Sequence, residues 1–188
     1  MKRSFALALV CCSLAALLPL AAAPADAPAA AGGFQADLVA DFDGPMTHLL
    51  QLAEAVPADK YGWRPTEGVR TFSEVLMHVA AGNYVASATL GTPVPAGVDP
   101  MKLEATTDKA AAIATLRASI DHFKGAVAAV ADADLTTAVK LFGMDLNKRR
   151  VMLLMQGHGH EHLGQAIAYA RVAGVVPPWS QPQPKAGG

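Results

Sequence analysis

The sequence predicts an all-α protein, a four-helix bundle preceded by a cleavable signal peptide. Four segments place apolar residues at helical spacing, and no convincing set of strands accompanies them. A basic start followed by an apolar run ending in small residues predicts the signal peptide. Residues 32–176 are long enough to form one domain with its own core. Residues 177–188 form a proline-rich tail.

Residues 1–31 are predicted to be the signal peptide and a short linker. Lys2 and Arg3 precede an apolar run, and the alanine-rich end of that run favours cleavage between Ala23 and Ala31. The run approaches membrane-spanning length, so an anchor is the competing interpretation. A lipoprotein is disfavoured because both cysteines, at positions 11 and 12, lie too early in the segment. We therefore expect a periplasmic or secreted protein with no stable membrane anchor after cleavage.

The composition narrows the function classes of the mature chain. Both cysteines fall in the signal segment, which excludes a disulfide, a cysteine nucleophile and a thiolate metal ligand. The whole chain has 15 basic and 16 acidic residues; without Lys2, Arg3 and Asp26, 13 and 15 remain. No long run of either sign is present. The sequence therefore predicts no binding to nucleic acid or to an anionic membrane surface.

The first two helices are predicted from an apolar stripe and a cap. The first covers about 35–55, with one broad stripe formed by Leu38, Phe42, Leu49 and Leu52. The second begins after Thr71, because Thr71 and Glu74 have the spacing of a capping box. It continues to about Leu90, where a segment rich in glycine and proline ends it.

The third and fourth helices are predicted at about 107–131 and from Asn147 to Ala173. The third is alanine-rich, with an apolar side formed by Ile113, Leu116, Ile120, Phe123 and Val127. A short hairpin around Gly143 is predicted between them, and Gly174 terminates the fourth helix. The connections after the first and second helices are long, so loop length does not define which helices are neighbours.

The stretch "HGHEHLGQ" at residues 158–165 is the main candidate for chemistry. His158 and His162 lie about 6 Å apart along a helix and within about 40° around it, so they can share one metal ion. His160 is rotated by about 200° and points away. Leu154, Ala166 and Tyr169 continue the face of the pair, where a buried imidazole needs a polar partner. A solvated pair on an exposed face is the alternative.

The same residues match a second motif. His158, Glu161 and His162 fit H-x-x-E-H, the inverted zinc-protease pattern in which the glutamate is the general base. That pattern takes a further glutamate ligand from well downstream. None of the residues after His162 is acidic, so the peptidase interpretation lacks its third ligand.

A third nitrogen ligand has to come from another helix, and His48, His78 and His122 are the candidates. His122 lies off the apolar stripe of its helix and is predicted to be on the surface. His78 and His48 lie at similar distances from the helix ends, so both remain open. The chemistry favours His78, because its face of the helix is apolar and leaves room beside a glycine. That face is formed by Val75, Val79 and Gly82.

Several motifs together resemble the DinB-like family of metal-binding four-helix bundles. They are "WRP" at 63–65, the histidine in "LMHVA" at 76–80, and His-x-x-x-His before "GQ" at 164–165; Tyr169, Arg171 and Gly174 also fit. The resemblance covers essentially the whole mature chain. It implies a three-histidine site, which matches His78, His158 and His162. His48 and His160 match no ligand position of the family.

The resemblance implies a divalent metal ion. Three imidazoles with an open fourth position are typical of catalytic sites, with zinc as the first choice and nickel, iron and manganese also compatible. Glu161 is the candidate catalytic residue, as a base or as a group that orients a ligand. Gln165 and Arg171 are interpreted as packing or salt-linking residues, and Trp63 as the anchor of its loop.

Three interpretations of the function follow. Characterised DinB-like relatives include metal-dependent transferases and isomerases that use low-molecular-weight thiols. The resemblance implies a metal-dependent hydrolase or thiol transferase acting on a small molecule, and the signal peptide predicts that this protein is exported. The alternatives are a non-catalytic metal-binding or stress-related bundle, and a bundle whose histidines are incidental. Pairing among relatives also implies a homodimer.

Overall fold

The computed structural model describes residues 33–181 and confirms the four-helix bundle. Its elements are α1 (Phe34–Ala55), α2 (Phe72–Leu90), α3 (Lys109–Ala128), β1 (Ala138–Leu141), β2 (Met144–Asn147) and α4 (Lys148–Val172). The predicted signal peptide and linker, and residues 182–188 of the tail, lie outside the described residues. Between residues 33 and 181, no helix is both long and apolar enough to cross a membrane.

The ends of α2 and α4 follow the predicted signals. The Thr71 hydroxyl accepts from the Glu74 backbone N–H at 3.2 Å, and the Glu74 carboxylate accepts from the Thr71 N–H at 2.6 Å. The capping box is therefore confirmed. At α4, the Asn147 side chain accepts from the Arg150 N–H at 2.9 Å, and Gly174 follows the helix with φ 82°. Both helices that carry the candidate ligands thus begin at side-chain caps.

Helix α3 is shorter at both ends than predicted. It begins at Lys109 because the Asp108 side chain accepts from the Ala111 N–H at 2.8 Å and caps the helix there. It ends at Ala128, and the chain is extended at Ala131. The predicted helix was too long because an alanine-rich composition favours helix throughout the segment, whereas capping and tertiary packing decide where the helix ends.

The helix order places α1 and α2 diagonally across the bundle, because each packs against both α3 and α4. Residues from all four helices meet in one core. Burial of each large aliphatic or aromatic side chain stabilises this core by about 1.5–3 kcal/mol. Fully buried examples are Leu49, Leu52, Leu76, Leu116, Phe123 and Met152. The arrangement makes α2 and α4 direct neighbours, which brings their histidines to one interface.

The connection from α1 to α2 is tied to the bundle by aromatic residues. Tyr61 is buried and its hydroxyl donates to the Ala53 carbonyl at 2.6 Å. The Phe72 N–H donates to the Trp63 carbonyl at 2.9 Å. Trp63 packs edge-on against Tyr169 of α4, with ring centroids 6.0 Å apart. Trp63 thus anchors this loop, as expected.

The segment Pro100–Ala105 forms 3-10 turns that pack against α2. The Ser73 hydroxyl donates to the Thr106 carbonyl at 2.6 Å and holds the segment at the start of α2. Glu104 is thereby brought beside the next turns of that helix.

The hairpin of β1 and β2 ends in a two-residue turn, as predicted around Gly143. Leu141 pairs with Met144, and the turn residues Phe142 and Gly143 have φ 49° and 79°. Positive φ at both positions is the pattern of a type I′ turn, which favours asparagine followed by glycine. A phenylalanine in this region costs about 1 kcal/mol because its Cβ crowds the backbone.

Candidate metal centre

Three histidines meet where α2 faces α4. His78 comes from the second turn of α2, and His158 and His162 lie one turn apart on α4. Their ring centroids are 5.1 Å (78 to 158), 4.7 Å (78 to 162) and 4.4 Å (158 to 162) apart. One ring nitrogen of each lies within 4.8 Å of the others. This is the set that the family resemblance implied.

Gly82 allows α2 to come this close to α4. It follows His78 by one turn, on the same face of the helix. A Cβ atom at this position would lie 3.0 Å from Cε1 of His158 and 3.2 Å from Cε of Met155. Any side chain at residue 82 would therefore displace the His158 ring.

A Gly82→Ala variant is expected to bind zinc about tenfold more weakly. Mutation of a residue that supports a metal ligand typically weakens binding by about 10–100-fold, and displacement of the His158 ring should fall at the lower end of that range. In the metal-free variant, the helix preference of alanine is opposed by the crowding of His158 and Met155, so its stability should stay within about 1 kcal/mol of the wild type. Chelator competition measures the first effect and thermal melts in EDTA the second. Gly125→Ala is the control, because a Cβ there meets nothing within 4 Å. Unchanged zinc affinity at Gly82→Ala would contradict the steric argument.

The His78 ring is oriented by a carboxylate. Its Nδ1–H donates to Oε1 of Glu104 at 3.1 Å, and the same oxygen accepts from Nε of Arg70 at 3.2 Å. Donation through Nδ1 leaves Nε2 as the nitrogen with a free lone pair. Pairing of a ligand histidine with a carboxylate is typical of protein metal sites.

The His162 ring is oriented by an amide on its own helix. Its Nδ1–H donates to Oε1 of Gln165 at 2.8 Å, and Nε2 of Gln165 donates to the Tyr169 hydroxyl at 3.2 Å. His162 and Tyr169 are buried, which protects this chain of hydrogen bonds from water. The interpretation of Gln165 as a packing or salt-linking residue was wrong. The sequence did contain a signal for this contact, because Gln165 follows His162 by three residues and the two side chains are therefore neighbours on the helix.

The third imidazole has no partner. Nδ1 of His158 is buried and makes no hydrogen bond with any residue that the structure describes. Burial, together with the neighbouring His162 and His78, lowers the pKa of His158 to about 3. Burial, and then Arg70, also lowers the pKa of His78. These two imidazoles are neutral at pH 7 and keep the lone pairs that a metal ion needs. The nitrogen without a partner and the all-imidazole donor set fit a divalent ion.

The other histidines lie elsewhere. His48 stacks on Trp179 with centroids 4.3 Å apart, and His160 is exposed, as its rotation around the helix predicted. His122, predicted to be on the surface, is half-buried and packs against Tyr84 at 5.4 Å. That prediction was wrong because the close packing of α3 against α2 covers a position that lies off the apolar stripe.

A cavity of about 1010 Å³ opens beside the histidines, a size typical of small-molecule sites. Glu161, the candidate catalytic residue, is exposed and lines this cavity together with His78 and His158. Arg70 and Glu104 also line it, and sequence reasoning missed both because no local spacing relates them to the histidines. The remaining lining residues are Ala81, Gly82, Val85, Pro100, Met101, Phe142, Met144, Leu153, Leu154 and Gly157. Arg171, in contrast, does not line this cavity, and its guanidinium donates to the hydroxyl of Ser180.

The protein-family model described as the DinB superfamily matches residues 45–166, which span most of the bundle and all three histidines. The chain belongs to the DinB superfamily. Among curated proteins, none matches the sequence significantly.

Solved DinB structures share the fold. A DinB-like protein from Bacillus cereus has a TM-score of 0.65 and 18% identity, covering 75% of this chain and 93% of its own. The DinB-like YjoA of Bacillus subtilis has a TM-score of 0.61 and 18% identity, with coverages of 78% and 96%. YfiT of Bacillus subtilis has a TM-score of 0.60 and 15% identity, with coverages of 76% and 89%. YfiT is described as a probable metal-dependent hydrolase with an unusual four-helix bundle topology.

Proposed function

We propose that this DinB protein binds one divalent metal ion through His78, His158 and His162 and hydrolyses a small molecule. The observation that carries the proposal is the convergence of three imidazole nitrogens within 4.8 Å, two of them from histidines that line a large cavity. The similarity to YfiT supports the reaction class. The signal-peptide pattern at 1–31 supports a site of action in the periplasm or outside the cell.

The donor set suits catalysis better than a purely structural site. Within the described part of the chain, the cluster consists of three histidine side chains, and a cavity lies on one side of it. A divalent ion held by His78, His158 and His162 would act as a Lewis acid and would make a nucleophile available from water at neutral pH. Zinc is our first choice, and nickel, iron and manganese also accept imidazole ligands.

The side chains around the cluster have distinct roles in this proposal. Glu104 and Gln165 hold two of the rings in the tautomer that presents Nε2. Glu161 accepts the proton of the attacking water and returns it to the leaving group. The water oxygen bonds to the acyl carbon as the bond to the leaving group breaks. Arg70 also lines the cavity, and its guanidinium stabilises the negative charge that develops on the substrate.

The test uses the mature protein purified without a histidine tag. We expect elemental analysis to find one metal ion per chain, and none in a triple His78→Ala, His158→Ala, His162→Ala variant. Reloading the metal-free protein should restore hydrolysis of p-nitrophenyl esters. Glu161→Gln should keep the metal and lose about 100-fold in kcat, as expected for removal of a general base.

The outcomes separate the two functional classes. Stoichiometric metal without turnover on any ester would favour the non-catalytic metal-binding protein. Absence of metal after loading with zinc, nickel, iron and manganese would contradict both.

A further inference from the structure

Exposed apolar side chains gather at the mouth of the cavity. In the described part of the chain, seven large apolar residues are exposed, and five of them line this cavity, so their exposure is clustered rather than scattered. These five are Met101, Phe142, Met144, Leu153 and Leu154. Clusters of this kind in soluble domains mark binding sites.

Phe142 is the most unusual of the five. It lies in the turn of the hairpin with φ 49°, a conformation that asparagine or glycine adopts more readily. Phe142 is 63% exposed, whereas its neighbour Leu141 is 2% exposed and already anchors the hairpin to the core. Burial within this chain therefore does not offset the strain at Phe142. Backbone strain of this kind clusters at active sites and ligand-binding sites.

The apolar cluster and the metal centre belong to one continuous cavity. His78, His158, Arg70 and Glu104 form its polar end, and the five exposed apolar residues line the remainder with Val85 and small residues. A molecule with one reactive polar group at the end of an apolar chain matches both ends. The concave shape, with the histidines at one end, favours a small molecule over a protein surface.

We infer that the substrate of the proposed hydrolase carries an alkyl or aryl chain that lies against Phe142, Met144, Leu153 and Leu154. Its hydrolysable group then faces His78 and His158. Phe142 is a specificity-determining residue, held over the cavity by a strained turn. The inference rests on the proposed function for the polar end, whereas the apolar end can be tested by itself.

The test measures the dissociation constants of straight-chain alkyl hydroxamates, from butyl to decyl, on zinc-loaded and metal-free mature protein. The hydroxamate group probes the metal and the alkyl chain probes the apolar residues. We expect affinity to rise about fourfold per methylene in both forms, as apolar burial predicts, with zinc-loaded protein binding every member more tightly.

Two variants locate the alkyl chain. Phe142→Asn and Leu153→Gln should each lower affinity for decyl hydroxamate at least tenfold and leave butyl hydroxamate nearly unchanged. Phe142→Asn should also raise the Tm by about 3 °C, because asparagine relieves the strain. Val172→Asn is the matched control, since Val172 is exposed on α4 but does not line the cavity. It should leave the whole affinity series unchanged.

The outcomes distinguish this inference from the proposed function. If affinity rises with chain length but zinc has no effect, the metal-dependent function fails and the apolar site stands. A flat series in both forms, or a series that both variants leave unchanged, overturns the inference. A flat series together with a dimer that Phe142→Asn dissociates in sedimentation overturns it and assigns the apolar residues to a second copy of the chain.

Discussion

Zinc is expected to raise the Tm of the wild-type protein by about 10 °C and to leave that of a His158→Met variant unchanged. A ligand that binds only the folded state stabilises it by about 4 kcal/mol at a thousandfold excess over Kd. In a domain of this size, each kcal/mol corresponds to about 2–4 °C. His158 completes the cluster with His78 and His162, so its removal leaves two nitrogen donors. Thermal melts in EDTA and in excess zinc measure the difference.

The same variant should be more stable than the wild type when no metal is present. Nδ1 of His158 is buried without a hydrogen-bond partner in the described structure. Such a group costs about 1–3 kcal/mol, and a flexible methionine fills the space without that cost. His160→Met is the control, because His160 is exposed on the same helix. A full zinc response in His158→Met would contradict the assigned site, and a less stable metal-free variant would contradict the account of Nδ1.

A Gln165→Leu variant is expected to lose about 10–100-fold in zinc affinity, although Gln165 is not itself a candidate ligand. Its amide oxygen accepts from Nδ1 of His162 at 2.8 Å and keeps that ring in place. Leucine retains the bulk but removes the acceptor, which leaves a buried N–H without a partner. Competition with a fluorescent chelator measures the change.

Further variants test whether the effect comes from the hydrogen bond. Gln165→Glu retains an acceptor and should restore most of the affinity, whereas loss of packing alone predicts no such rescue. Glu104→Leu should also weaken binding, because it removes the acceptor of His78. Gln51→Leu, at an exposed position of α1, should have no effect. Wild-type affinity in both Gln165→Leu and Glu104→Leu would refute the role of these partners.

Features within single helices were predictable because they depend on the helical repeat and on neighbours in the chain. The cap formed by Thr71 and Glu74 and the common face of His158 and His162 are of this kind. Gln165 belongs to the same class, since its spacing from His162 already placed the two side chains together.

Relations between helices were decided by the tertiary structure. Local chemistry favoured His78 over His48 without separating them, and only the packing of α2 against α4 places His78 in the cluster while His48 stacks on Trp179. Glu104 reaches His78 because an irregular segment packs on α2. The periodicity of the sequence by itself thus determined four helices and one histidine pair. Long connections leave helix neighbours open, so burial of the whole core decides which side chains complete the site.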